Sequence, residues 1–170
     1  MNIKVANAKD IKLDSEFSKI ISETTYKDEN LAYRPISLVG DSISKGSFLV
    51  AVDESGKTLG WIEKYKIWDN WWGLSTLYVF PEYRNSGIGR GLLIPAGVKY
   101  LQGKNIFAAT TNLEIQLVLE KLGFKKVTLS KLPLMVRINL VLTRYLNFKS
   151  LLKLIKVKSK GFVYFVRIAK

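Results

Sequence analysis

The stretch PEYRNSGIGRGLL (Pro81–Leu93) packs three glycines and two arginines into thirteen residues, directly after the apolar run Leu77-Tyr78-Val79-Phe80. A strand that passes through such a turn into a helix leaves backbone amides unsatisfied at the helix start, where the dipole also gathers partial positive charge. Glycine lets an anion come close to those amides with no Cβ in the way, and Arg84 and Arg90 supply charge-assisted donors. The stretch reads as a cradle for a pyrophosphate. Spacing excludes two common cradles: a P-loop ends in Gly-Lys-Ser/Thr, and a dinucleotide fingerprint needs a third glycine where Leu92 stands.

Upstream of the cradle, SFLVAV (47–52), TLGWIEKYKIW (58–68) and WWGLSTLYVF (71–80) read as strands joined by the turn DESGK and by Asp69-Asn70, an antiparallel meander. Trp61, Trp68, Trp71 and Trp72 lie on its second hairpin, where cross-strand packing is the first reading and ligand stacking the alternative. NIKVANAKD precedes this as a first strand, and IKLDSEFSKIIS as a short amphipathic helix with Ile11, Phe17, Ile20 and Ile21 apolar. Residues 24–46 are polar and irregular, with room for one or two further helical turns.

Downstream, Ile88, Leu92, Ala96 and Tyr100 fall at spacing four and predict one face of a helix that stops near Gly103, with Pro95 expected to kink or end it. NIFAAT is a buried strand. Asn112 then caps a helix through Gly123 that turns Ile115, Val118, Leu119 and Leu122 inward. A helix between two strands implies a parallel crossover.

The longer string LYVFPEYRNSGIGRGLL resembles the coenzyme A signature of the GNAT acyltransferase superfamily, and TTNLEIQLVLEKLGF (Thr110–Phe124) resembles that family's second signature. The resemblance implies an α/β fold: a mixed, mostly antiparallel sheet of six or seven strands flanked by helices, in the order β-α-β-β-β-α-β-α-β-(helical insertion)-β. The cofactor it implies is acetyl-coenzyme A or another acyl-coenzyme A, and no metal. The amides of Arg84, Asn85, Ser86, Gly87, Ile88, Gly89 and Arg90 would hold the pyrophosphate. Leu77, Tyr78 and Val79 would bond the pantetheine arm like an added strand, in a gap opened in the sheet. An amide near Val79 would polarise the thioester carbonyl. Asn112 would touch the pantetheine from the other side while also serving as a helix cap.

The family's usual base, a Glu two residues before Leu77, is replaced by Ser75, and its usual acid, a Tyr seven residues after the motif's Asn, by Leu119. Neither titrates near neutral pH. Glu63 or Asp69 acting through water, or else Tyr78, Tyr65 or Tyr83 supplying a proton, are the alternatives, and Glu63 among Lys64 and Lys66 also reads simply as an exposed strand carboxylate. Binding of coenzyme A without catalysis remains open.

Composition narrows the chemistry and locates the charge. With no cysteine and no histidine, thiolate nucleophiles, disulfides, Ser-His-Asp triads and the usual zinc ligands are excluded. At 170 residues we expect a single domain, and the charged amino terminus, which lacks a secretory signal's apolar core, suggests a cytoplasmic protein. All 14 acidic residues lie in the first 120 positions, while residues 121–170 hold 13 of the 27 basic ones. That block suits a polyanion, whether nucleic acid or an anionic membrane surface, or else a well-solvated face. Within it FKKVTLSKL and GFVYFVRIAK read as closing strands around a basic amphipathic insertion at about 131–158. There Leu134, Ile138, Val141, Leu142, Tyr145, Phe148, Leu152 and Ile155 follow helical spacing, with Arg137, Arg144, Lys149, Lys153 and Lys156 interleaved. The expected acceptor is an amine, on a small molecule or a macromolecule.

Overall fold

In the computed structural model, which describes residues 2–11, 15–28, 31, 33–145 and 161–169, the elements follow the expected order with one further helix. They are β1 (Lys4–Asn7), α1 (Ser15–Lys27), α2 (Ile36–Ser44), β2 (Phe48–Val52), β3 (Thr58–Trp68), β4 (Trp71–Val79), α3 (Ile94–Tyr100), β5 (Asn105–Thr110), α4 (Leu113–Lys121), β6 (Lys125–Val127), α5 (Leu134–Tyr145) and β7 (Val163–Arg167). The strands make a seven-stranded mixed sheet in the order β1-β2-β3-β4-β5-β7-β6. The β4–β5 ladder is parallel and joins Trp71–Leu74 to Asn105–Ala108; the β5–β7 and β6–β7 ladders are antiparallel. The added helix, α2, has the sequence ISLVGDSIS, whose serines, glycine and β-branched residues are weak helix formers. Burial of Val39 holds it instead of propensity.

The chain divides into two compact units, residues 1–64 with 76–100 and residues 65–75 with 101–170. In the first, Phe17 and Ile21, one helical turn apart on α1, pack with Val39, Phe48, Val50, Val52 and Trp61. Trp61 is fully buried, and its ring lies 4.7 Å from that of Tyr78 and 5.6 Å from that of Phe80, so its aromatic surface is spent on the core and not on a ligand. In the second unit, Ile67, Phe107 and Val166 from three strands pack with Leu132, Val136 and Leu140.

Two expected helix faces are corrected. After the cradle, Ile88–Leu93 forms a π-helical turn, closed by the Ile94 N–H on the Gly89 carbonyl. The extra residue per turn moves the inward face from Leu92 to Leu93, and burial continues at Ile94, Gly97 and Val98, while Tyr100 is exposed. Pro95 does not end this helix, which runs on to Tyr100. It lies in the first turn of α3, where its missing N–H costs least, and the departure from α geometry comes before it. In α5 the buried residues are Val136 and Leu140, continuing from Leu132, while Leu134, Ile138 and Leu142 of the expected face point to solvent. Two apolar sets share spacing four in this segment, and periodicity alone does not choose between them. The rest of the expected insertion, with Phe148, Leu152, Ile155, Lys149, Lys153 and Lys156, lies outside the described residues.

Lys64 faces away from its neighbour Glu63, as adjacent strand residues must. It is buried: its Nζ donates to the Gly46 carbonyl and sits 4.1 Å from the centre of the Tyr100 ring, whose hydroxyl accepts from Asn7 Nδ2 at 3.2 Å. Burial, with repulsion from Lys9, holds this ammonium below the usual lysine range. The unfolded chain therefore binds the proton more tightly, and Lys64 lowers stability at neutral pH by an amount relieved as pH rises through its folded pKa toward 10.5. Urea unfolding of the protein and of Lys64→Met should show the wild type gaining on the variant between neutral pH and pH 10.5. A constant difference would contradict the depressed pKa.

Candidate functional site

The cradle begins where β4 ends. The Phe80 N–H bonds the Leu59 carbonyl at 3.0 Å, a single 3-10 turn over Pro81–Tyr83 follows, and the Arg84 N–H closes it on the Pro81 carbonyl at 3.2 Å. Asn85 (φ 64°) and Gly87 (φ 83°) are both left-handed, flanking Ser86, and left-handed residues in such a turn let successive N–H groups converge on an anion. Asparagine tolerates that region; at Gly87 a side chain would be strained even though the space is open. The Gly91 N–H bonds the Gly87 carbonyl at 2.6 Å. Between these two bonds stand the amides of Asn85, Ser86, Gly87, Ile88, Gly89 and Arg90, with no backbone acceptor found among the described residues.

The fold has a use for only one of the three glycines. A Cβ on Gly91 would meet nothing within 4 Å, and one on Gly89 would make ordinary contacts with Val79 and Leu77 at 3.4 and 3.7 Å. Neither is held to glycine by backbone conformation or by packing, so bare backbone at these positions answers to something outside the chain. The two arginines are placed differently. Arg84 uses its Nε on the Val79 carbonyl, at 3.2 Å, and lies 5.5 Å from the Tyr78 ring, tying the strand end to the cradle; its amide is already bonded to Pro81. Arg90 is exposed in the π-helical turn. Ser86 donates its hydroxyl to the Tyr83 carbonyl at 2.5 Å, and Ile88 is buried as the anchor of the turn.

The strand end depends on a close approach. A Cβ on Gly60 would lie 2.5 Å from the Tyr78 carbonyl oxygen and 3.0 Å from the Val79 Cα, so only glycine there lets Tyr78 and Val79 lie against β3. Leu77, Tyr78 and Val79 are half-buried. Asn112 is the expected cap: its side chain accepts from the Ile115 N–H at 3.1 Å, and its own N–H donates to Thr110 Oγ1 at 3.1 Å.

Glu63 is not an exposed strand carboxylate. It is 2% exposed, ion-paired through Oε1 with Arg34 and hydrogen-bonded through Oε2 by the Thr76 hydroxyl at 3.0 Å. Each of its oxygens already has a partner, and burial leaves it little access to solvent. Arg34 also bonds the Ser42 hydroxyl at 3.2 Å, and its backbone N–H donates to Thr25. Thr76 has φ 50°, an uncommon state for a β-branched residue, in the middle of β4. A left-handed residue inside a strand re-aims the residues after it, here Leu77–Val79. Arg34 and Thr76 carry no sequence signal. The first stands in an irregular polar stretch, the second in an ordinary strand pattern, and nothing in either neighbourhood points to a role.

Of the remaining candidates, Ser75 is half-buried on β4 and Leu119 is 3% exposed in α4, so no proton chemistry is available at the latter. Tyr78 belongs to the Trp61–Phe80 aromatic group. Tyr65 packs its ring over Gly73, where any Cβ would collide with it. Tyr83 sits under the Lys57 ammonium, 5.2 Å from the ring centre, and Asp69 forms the exposed hairpin turn with φ 44°.

A mixed sheet whose parallel strand pair is bridged by a glycine cradle and a helix, and which closes on two antiparallel strands, defines the GNAT acetyltransferase fold. Residues 44–126 match the model of the acetyltransferase (GNAT) domain. No curated protein sequence matches the chain. Solved structures do. Rv2747 from Mycobacterium tuberculosis, determined with CoA, is 18% identical with a TM-score of 0.70, covering 98% of this chain and 99% of its own. N-acetylglutamate synthase from Neisseria gonorrhoeae, complexed with coenzyme A and N-acetyl-glutamate, is 17% identical with a TM-score of 0.66, over 98% of this chain but 35% of its own. Ard1 from Thermoplasma volcanium is 15% identical with a TM-score of 0.60, over 100% and 99%. At such identities the likeness is one of fold.

Proposed function

We propose that this protein is an acyl-coenzyme A-dependent N-acyltransferase that moves an acetyl group to a primary amine of low pKa by direct attack in a ternary complex. The observation that carries the reading is the cradle: six consecutive amides, with glycines at 89 and 91 that the fold itself does not require. The residues fit the cofactor. The amides of Asn85–Arg90 match a diphosphate in charge and donor number, and Arg90 adds a guanidinium. Leu77–Val79 would bond the pantetheine. Bound there, the cofactor supplies an activated acyl thioester. The fold is shared with proteins solved with coenzyme A and, in one case, with N-acetyl-glutamate, an acetyl group on an α-amine.

The chain's own residues favour the weaker amine. Ser75 and Leu119 occupy the positions from which the family commonly draws its base and acid, and both oxygens of Glu63 are engaged. An acceptor therefore has to supply its neutral form largely unaided. A lysine amine with pKa near 10.4 is neutral about once in a few thousand molecules at pH 7, whereas an α-amine near 7.7 to 8 is neutral roughly a tenth of the time. Thiol release from acetyl-coenzyme A at neutral pH should favour α-amino acceptors over lysine-type amines on the order of a hundredfold. Equal rates, or a preference for lysine, would remove this reading of the acceptor.

The buried Leu119 also favours a second reading, a coenzyme A-binding module without catalysis. Calorimetric binding of coenzyme A with no thiol release across an amine panel would select it.

A further inference from the structure

α5 carries two apolar stripes on opposite sides. At roughly 100° per residue, Leu134, Ile138, Leu142 and Met135 fall within about a quarter turn of one another, and Val136 and Leu140 lie nearly opposite. Val136 and Leu140 are 0% and 9% exposed, packed with Leu132, Phe107 and Val166. The other stripe faces solvent: Leu134 is 61% exposed, Leu142 47%, Met135 42% and Ile138 41%. A surface helix needs one apolar face to join its core and keeps the other polar. This one has a second apolar face that its own core does not use.

We propose that the outward face of α5 is a docking surface for an anionic lipid bilayer. Charge selects the occupant. Residues 121–170 contain 13 basic and no acidic side chains, and exposed Lys131 stands just before the helix, with Arg137, half-buried and its Nε out of solvent, at the edge between the two faces. Aliphatic side chains flanked by cations are the pattern of a helix lying in the headgroup region, where the apolar stripe enters the acyl boundary and the cations meet lipid phosphates. A nucleic acid would use the cations but has no use for a leucine, isoleucine and methionine stripe, since strand binders stack bases on aromatic rings. A second copy of this chain would set the same basic block against itself across a two-fold axis. None of the described helices is long and apolar enough to cross a membrane, so the contact is peripheral.

Flotation of the full chain with vesicles tests this. Vesicles of phosphatidylcholine with phosphatidylglycerol should carry the protein, pure phosphatidylcholine vesicles should not, and added salt should release it. The triple variant Leu134→Gln/Ile138→Gln/Leu142→Gln, which alters only exposed positions, should lower partitioning at least about tenfold, while Leu117→Gln, another exposed leucine, should not. Unchanged melting of the triple variant keeps the result interpretable. The proposal is overturned by absence of flotation with anionic vesicles, by flotation that the triple variant leaves intact, or by a loss confined to self-association or to retention on DNA. None of these outcomes depends on the acyltransferase reading.

Discussion

Replacing Gly89 by valine should lower coenzyme A affinity by at least about a hundredfold and leave the melting temperature within a few degrees of wild type. The two halves of that result have separate causes. In the folded chain a Cβ at this position meets Val79 Cγ2 at 3.4 Å and Leu77 at 3.7 Å, ordinary contacts, and its backbone is not left-handed. Valine also suits a helical turn at least as well as glycine, so little stability is lost. A diphosphate, by contrast, must come within hydrogen-bond distance of the amides beside it, and a branched side chain displaces it. Losing two charge-assisted bonds of about 1.5–3 kcal/mol each corresponds to a hundredfold or more in affinity.

Gly87 should behave the opposite way. Its φ of 83° costs an alanine about 1–2 kcal/mol, a fall of roughly 2–8 °C for a chain of this size, although a Cβ there would touch nothing. Gly89→Ala, smaller than valine, serves as the graded control should Gly89→Val fold poorly. Calorimetry with coenzyme A and thermal melts of the three variants separate binding from stability. Full affinity in both Gly89 variants would mean that the turn is not the diphosphate site.

The parts of this architecture that are legible in the sequence are those written in local pattern. Strands β3 and β5 are bounded to the residue, because alternation and turn residues act over neighbours. The cap at Asn112 and the glycine-rich turn are readable because each imposes a residue type at a fixed place. The rest is written in space. The π-helical turn at Ile88–Leu93 leaves no mark in composition and shifts the buried face by one residue. The two apolar faces of α5 share a spacing, so periodicity selects the exposed one as readily as the buried one. The sequence neighbours of Glu63, Lys64 and Lys66, suggest a solvated strand face, whereas its environment is set by Arg34, 29 positions away, and by Thr76 on the adjoining strand.

That long-range pair gives the second large effect. Arg34→Met should destabilise the protein by about 3 kcal/mol, a drop of roughly 6–12 °C, because it leaves the Glu63 carboxylate, 2% exposed, without its cation. The cost stays at the lower end of the range for buried pairs, since the Thr76 hydroxyl still bonds Oε2 and the Arg34 side chain is 22% exposed. The charge and not the contact is the cause. Glu63→Gln in the Arg34→Met background should therefore recover most of the loss, because a neutral amide at position 63 still accepts from Thr76 and carries no uncompensated charge. A double-mutant cycle built on urea unfolding yields this coupling directly. Thr76 also holds the left-handed bend of β4, three residues before Val79. The single variant, having loosened that bend, should lose coenzyme A affinity along with stability, and the double variant should regain both together. Additive losses in the cycle would show that Arg34 and Glu63 stabilise the fold independently, and that the bend at Thr76 stands without them.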